Sequence, residues 1–214
     1  SAHHFPMTTM NASVGQCSIA YGIRGYVTAI CGSASGLGYA LDLVKWGHQD
    51  RMVVGSGDET TDYLNEIYQS AGCLAEDTPF EGGAALAFSG HENLQANDQD
   101  CLANVTAWSI LQDGVDIGPA PDGGALDAAI TATLSKSGKT SADVDVFIEV
   151  SGGSRASALA AARAKKSALS GCGDKTMNVA QLTGFLPSSG TAMATCLATA
   201  LIQTKPEVSS VMVF

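Results

Sequence analysis

The stretch Tyr26–Gly47, YVTAICGSASGLGYALDLVKWG, sets the expected architecture. It opens on a β-branched and aromatic run, Tyr26–Cys31, which predicts a short strand. Gly32, Ser33, Ala34, Ser35 and Gly36 follow, small residues suited to a tight turn. Leu37, Ala40, Leu41 and Val44 then recur at i, i+3, i+4 and i+7, the spacing of one buried helix face. Gly47 closes that helix just past its C-terminus. Met52, Val53 and Val54 read as the next strand. Strand, tight turn, helix and strand together form the unit of a parallel sheet.

Working outward, Met10 to Tyr21 reads as a small-residue helix or tight turn leading to Gly25. Downstream, a short helix is expected near Thr61–Ser70. The Gly82–Gly83 pair leads into a strand over Ala84–Phe88 (AALAF). After a polar segment, Asn104–Leu111 reads as a strand that opens a second half. Pro119, Pro121, Asp122, Gly123 and Gly124 make a turn, with Asp122 as N-cap. Leu126, Ile130 and Leu134 space the following helix, which stops at Gly138. Val144–Val150 (VDVFIEV) is the clearest buried strand, although Asp145 and Glu149 interrupt its apolar residues. An Ala-rich helix over Arg155–Leu169, a weaker strand over Asn178–Leu182, a helix over Ser188–Ile202 and a strand over Val208–Phe214 complete the chain. Strands and helices alternate in two halves, 1–100 and 101–214, with no long linker between them.

Of the 214 residues 45% are hydrophobic, 15% charged and 24 are Gly, a mix suited to close helix–sheet packing and opposed to disorder. No apolar run reaches the ~18–20 residues that span a bilayer, and no basic-then-apolar leader opens the sequence. A net charge of −10 disfavours nucleic acid and anionic membranes as partners. The six Cys include no CxxC pair and the four His no HxxxH. A zinc site or disulfide framework is therefore not expected, and reduced cysteines point to the cytoplasm. The glycine stretches at Gly32–Gly38 and Gly152–Gly153 continue into neither GK[ST] nor GxGxxG, so no nucleotide or other cofactor is expected.

Five segments, in order, resemble the β-ketoacyl synthase family. MNASVGQCSIAYGIRG (Met10–Gly25) is similar to the segment before its nucleophile, and CGSASGLGYALDLVKWG (Cys31–Gly47) to the nucleophile turn and long helix. PFEGGAALAF (Pro79–Phe88) resembles its glycine-rich approach to a strand. PAPDGGALDAAITATLSKSG with DVDVFIEVSGGS resembles the helix and strand before the first histidine motif. LTGFLPSSGTAMATCLATALI (Leu182–Ile202) is similar to the second histidine motif and its helix. The resemblance implies an α/β, thiolase-like fold of two βαβαβ halves stacked as α-β-α-β-α layers, usually dimeric. The family carries further strands ahead of Met10 and a Gly-rich loop beyond VMVF. The expectation is therefore an incomplete N-terminal half, either a fragment or a chain that a second polypeptide completes.

The family condenses acyl thioesters with a Cys nucleophile at the turn, two His and a supporting Lys. Anchored on Ser35–Gly36, the nucleophile position falls on Ser33, while a two-residue shift brings Cys31 there. The preferred reading of Cys31 is a small buried strand-end residue, and that of Ser33 a turn and N-cap residue. The first His position falls on Ser151, with Val150 as the alternative. At the second, Phe185 replaces His and Ala180 stands at the Lys position, and the chain has no His after His91. Losing one oxyanion donor typically costs about a hundredfold or more in rate, so no intrinsic condensing activity is expected.

The resemblance then implies a non-catalytic, chain-length-factor-like subunit. It would pair as a heterodimer with a catalytic ketosynthase and shape the acyl tunnel in polyketide or polyene synthesis. His3–His4 lie in HHFPMTTMN, similar to the loop that reaches across the family's dimer interface, so Phe5, Pro6, Met7 and Thr8 are expected to wall the partner's tunnel. Tyr26, Val27 and Thr28 lie on the strand that pairs across the two-fold axis, and His48 is structural. Acyl carrier proteins are acidic, so one would dock mainly through the partner. The alternative is an atypical decarboxylase or acyltransferase that acts on carrier-protein thioesters through Ser33 or Cys31.

Overall fold

The computed structural model describes residues 11–32, 34–70, 80–97, 100–111, 124–152 and 155–214. Helices α1 (Ala12–Tyr21) and α2 (Ser35–Lys45) come first, and α2 buries Gly38, Ala40, Leu41 and Leu43. Gly47 adopts φ +71°, the left-handed conformation expected after this helix. Strand β1 (Arg51–Asp58) follows, then α3 (Asp62–Ser70), β2 (Gly82–Ser89) and α4 (His91–Ala96).

β1 and β2 form an antiparallel pair running from Arg51↔Ser89 to Asp58↔Gly82. That corrects the parallel unit expected around the first helix. Tyr26–Cys31 makes no strand, so β1 has no parallel neighbour among the described residues and pairs with the later β2. A Cβ at Gly83 would stand 3.0 Å from the Ser56 carbonyl, so the second glycine of the pair permits this close pairing.

The second half holds α5 (Gly124–Ser137), β3 (Val146–Glu149), α6 (Arg155–Lys166), β4 (Thr176–Asn178), α7 (Ala180–Thr183), α8 (Gly190–Thr204) and β5 (Val211–Val213). The three strands are parallel in the order β4-β3-β5. Successive residues of the central β3 point to opposite faces. Phe147 enters a cluster with Ile130, Ala164, Leu169 and Met212, while Ile148 enters one with Val179, Ala194 and Ala198. Both faces are covered, which is why this strand reads as a nearly unbroken apolar run.

Two further expectations differ. Asn104–Leu111 forms no strand, and its backbone makes no backbone–backbone hydrogen bond among the described residues. The strand expected at Asn178–Leu182 ends at Asn178, whose Oδ1 accepts the Ala180 N–H at 2.8 Å and turns the chain into α7. The N-cap expected at Asp122 lies outside the described residues.

Candidate functional site

The position expected for the first histidine motif, at Ser151 or Val150, follows the end of β3. Glu149 lies two residues from Phe147 and therefore shares its face of the sheet, beneath α6. Only 4% of Glu149 is exposed, and its Oε2 is ion-paired with Lys165 Nζ of α6. Ser151, 8% exposed, donates its hydroxyl to Glu149 Oε1. Asn178 sits opposite Glu149 in the β3–β4 register. Its Nδ2 donates to the Oγ and the carbonyl of Ser151, each at 3.1 Å. Its Oδ1 takes the Ala180 N–H, so Asn178 ties the first expected histidine position to the expected lysine position.

This closure limits the chemistry. A condensing site needs donors directed at a developing oxyanion, whereas the Ser151 hydroxyl, the Asn178 amide and the Lys165 ammonium are directed at Glu149 and at one another. Buried polar groups held by hydrogen bonds and an ion pair in this way rigidify a fold.

The second motif lies in the loop between α7 and α8. Gly184 adopts φ +73° and ψ 177°, and a Cβ there would collide with the Phe80 ring. The Phe80 N–H donates to the Phe185 carbonyl at 2.9 Å. Asp58, at the end of β1, accepts the N–H groups of Ser188 and Ser189, each at 2.8 Å, and so caps α8 from a distant strand. A Cβ at Gly190 would stand 2.9 Å from Val150 Cγ1, so glycine permits the start of α8 to sit against the end of β3. The loop is thus pinned to the β1–β2 pair on one side and to the first motif on the other.

The remaining candidates lie elsewhere. Cys31 is exposed rather than buried at a strand end, since no strand forms there. Ser33 and Phe5, Pro6, Met7 and Thr8, with His3 and His4, lie outside the described residues. Tyr26, Val27 and Thr28 are exposed and stand in no ladder. The Tyr39 hydroxyl donates to Tyr26 Oη at 2.9 Å, which raises the Tyr39 pKa above its ordinary value. His48 meets the Trp46 ring edge-on.

The Ser151 network contains none of Tyr26, Val27, Thr28 and Cys31. Sequence reasoning missed Glu149, Lys165, Asn178 and Asp58 as a set. The available signal was Glu149 itself: a carboxylate inside a buried strand needs a partner, and the next helix carries Lys165 back across the sheet.

No protein-family model matches the sequence. Nodulation protein E of Rhizobium sp. (strain N33) is 27% identical over 158 residues, which cover 65% of this chain and 39% of that protein. Among solved structures, a type II polyketide synthase ketosynthase in complex with its acyl-carrier protein matches with a TM-score of 0.82 and 16% identity, covering 96% of this chain and 57% of that one. The ishigamide ketosynthase/chain length factor matches at 0.81 and 16%, covering 91% and 52%. A β-ketoacyl synthase from Burkholderia phymatum STM815 matches at 0.71 and 15%, covering 90% and 52%. The chain has the α/β, thiolase-like fold of these ketosynthase structures and spans about half of their length.

Proposed function

We propose that this chain is a ketosynthase-like subunit without condensing activity of its own, akin to a chain length factor. It pairs with a catalytically complete ketosynthase and shapes the pocket in which the partner's acyl chain grows. The observation that carries this reading is the closed Ser151–Glu149–Asn178–Lys165 network where the first histidine is expected, with Phe185 where the second is expected. An active site keeps its donors open to substrate; these are turned inward. The chain divides near residue 100 into its two thiolase-like halves. Phe5, Pro6, Met7 and Thr8 line the partner's tunnel, and a carrier protein docks chiefly on the partner because this chain is strongly acidic.

The test combines two measurements on the full chain. Incubation with malonyl- and acyl-carrier protein, followed by intact-mass analysis, is expected to show no covalent acylation. Native mass spectrometry after co-expression with a ketosynthase that holds Cys, His and His is expected to show a one-to-one complex. Stoichiometric acylation, mapped to Ser33 or Cys31, would instead establish the atypical acyltransferase. Failure to form the complex would remove the subunit reading.

A further inference from the structure

A slot of about 250 Å³ separates the second sheet from the 103–110 segment. One wall is Ser210, Val211, Met212 and Val213; the other is the unbroken run Ala103–Ile110. One face of an extended chain presents alternate residues. Consecutive residues along both walls therefore mean that each presents its edge, with its backbone N–H and C=O groups. β5 is paired on its other side with β3, and no strand covers its outer edge among the described residues. No backbone–backbone hydrogen bond reaches residues 103–110 among the described residues; the Trp108 carbonyl takes Lys136 Nζ at 3.0 Å instead.

Between these walls the surface is apolar. Leu37, Leu41, Leu134 and Ala198 contribute side chains. Thr133, Thr195 and Thr199 also line the slot, but each hydroxyl donates to a carbonyl one turn earlier in its own helix, at 2.8 to 2.9 Å. A hydrocarbon guest would leave the walls' remaining peptide groups, those other than Ser210 and the Trp108 carbonyl, dry and unpaired, at about 1–3 kcal/mol each. An extended peptide satisfies both requirements: its amides meet the two strand edges, and its side chains meet the leucines.

Size and charge narrow the guest further. At ~30 Å³ per water the slot holds roughly eight waters, room for the tip of a chain and not for a full strand. Lys139 lines the slot. Lys136 also donates to Ser109 Oγ at 3.0 Å, and Lys45 Nζ stands 4.9 Å from the Trp108 ring centroid. Lys175 Nζ donates to the carbonyl of Val144, another lining residue, at 3.0 Å. Three carboxylates adjoin these lysines: Asp42, which accepts from Trp108 Nε1 at 3.1 Å, Asp143, whose carboxyl Lys139 and Lys175 influence, and Asp145, which accepts the Ser210 N–H at 3.0 Å. Four cations against three anions leave a local positive surplus in a chain of net charge −10. That sign favours a carboxyl terminus over an amino terminus.

We propose that the slot binds the carboxyl-terminal two or three residues of a partner polypeptide with small apolar side chains, its terminal carboxylate beside Lys139. The test is fluorescence anisotropy with a labelled octapeptide ending in Val-Ala-Val, as free acid and as carboxamide, on the full chain. Saturable binding of the acid is expected, at least tenfold weaker for the carboxamide and for Lys139→Glu. Val105→Trp, at an exposed rim position, is expected to block binding with an unchanged Tm. The proposal fails if neither peptide binds, if acid and carboxamide bind alike, or if amide exchange in the peptide-free protein shows residues 105–109 protected, since the segment would then close the slot itself.

Discussion

Gly184 shows how much of the second motif rests on one residue. Its φ of +73° with ψ 177° belongs to a region essentially confined to glycine, and the Phe80 ring occupies the place of a side chain. Gly184→Ala is expected to cost about 2–3 kcal/mol, the sum of backbone strain and a displaced ring. Chemical denaturation checks the value, and Phe80→Ala in the same chain should return only the steric part. Lys165→Met would strand the Glu149 carboxylate. Breaking a fully buried pair costs ~3–5 kcal/mol, but the Lys165 side chain is 40% exposed, so a loss of about 2 kcal/mol is expected from urea midpoints. The sequence showed Glu149 as a charge inside a buried strand. It could not show which cation answers it, because the choice depends on how α6 returns over β3.

Among elements, the junction of β3 and β5 is held by Asp145. Its carboxylate accepts Ser209 N–H and hydroxyl at 2.9 Å and Ser210 N–H at 3.0 Å. The Ser209 backbone bond, then its hydroxyl, hold the Asp145 pKa below the ordinary carboxylate range against desolvation, with lesser help from the Ser210 N–H and the Lys175 charge. A carboxyl with a lowered folded pKa stabilises above the unfolded value of about 3.9, and that contribution fades as pH falls through the folded pKa. Asp143 shifts in the same direction through Thr140. Asp145→Asn should therefore flatten, without abolishing, the fall in urea midpoint between pH 6 and pH 3. Helix periodicity located α2, α5 and α8 from sequence, since 3.6-residue spacing is a local property. That Asn104–Leu111 forms no strand was not legible, because a strand exists only where another edge lies within reach.

For the whole molecule, the exposed apolar surface is the main fact. Ile19, Tyr21 and Trp46 are 84%, 78% and 65% exposed, and α1 buries no residue. Apolar surface on this scale marks an interaction face or an aggregation liability. The isolated chain is expected to enhance the fluorescence of an apolar dye such as ANS, and an added ketosynthase partner is expected to reverse that in proportion to complex formed. An enhancement that the partner leaves unchanged would mean that this surface lies outside the pairing interface.

The thiolase-like α/β fold was legible in the order of five motifs, and the missing histidines were legible as plain absences, because both depend only on which residue follows which. The antiparallel pairing of β1 with β2, the unpaired 103–110 segment and the joining of Ser151, Glu149, Asn178 and Lys165 were settled only in three dimensions. Each depends on contacts between residues far apart in the chain. Local propensity does not encode them, and the free energy of packing selects them.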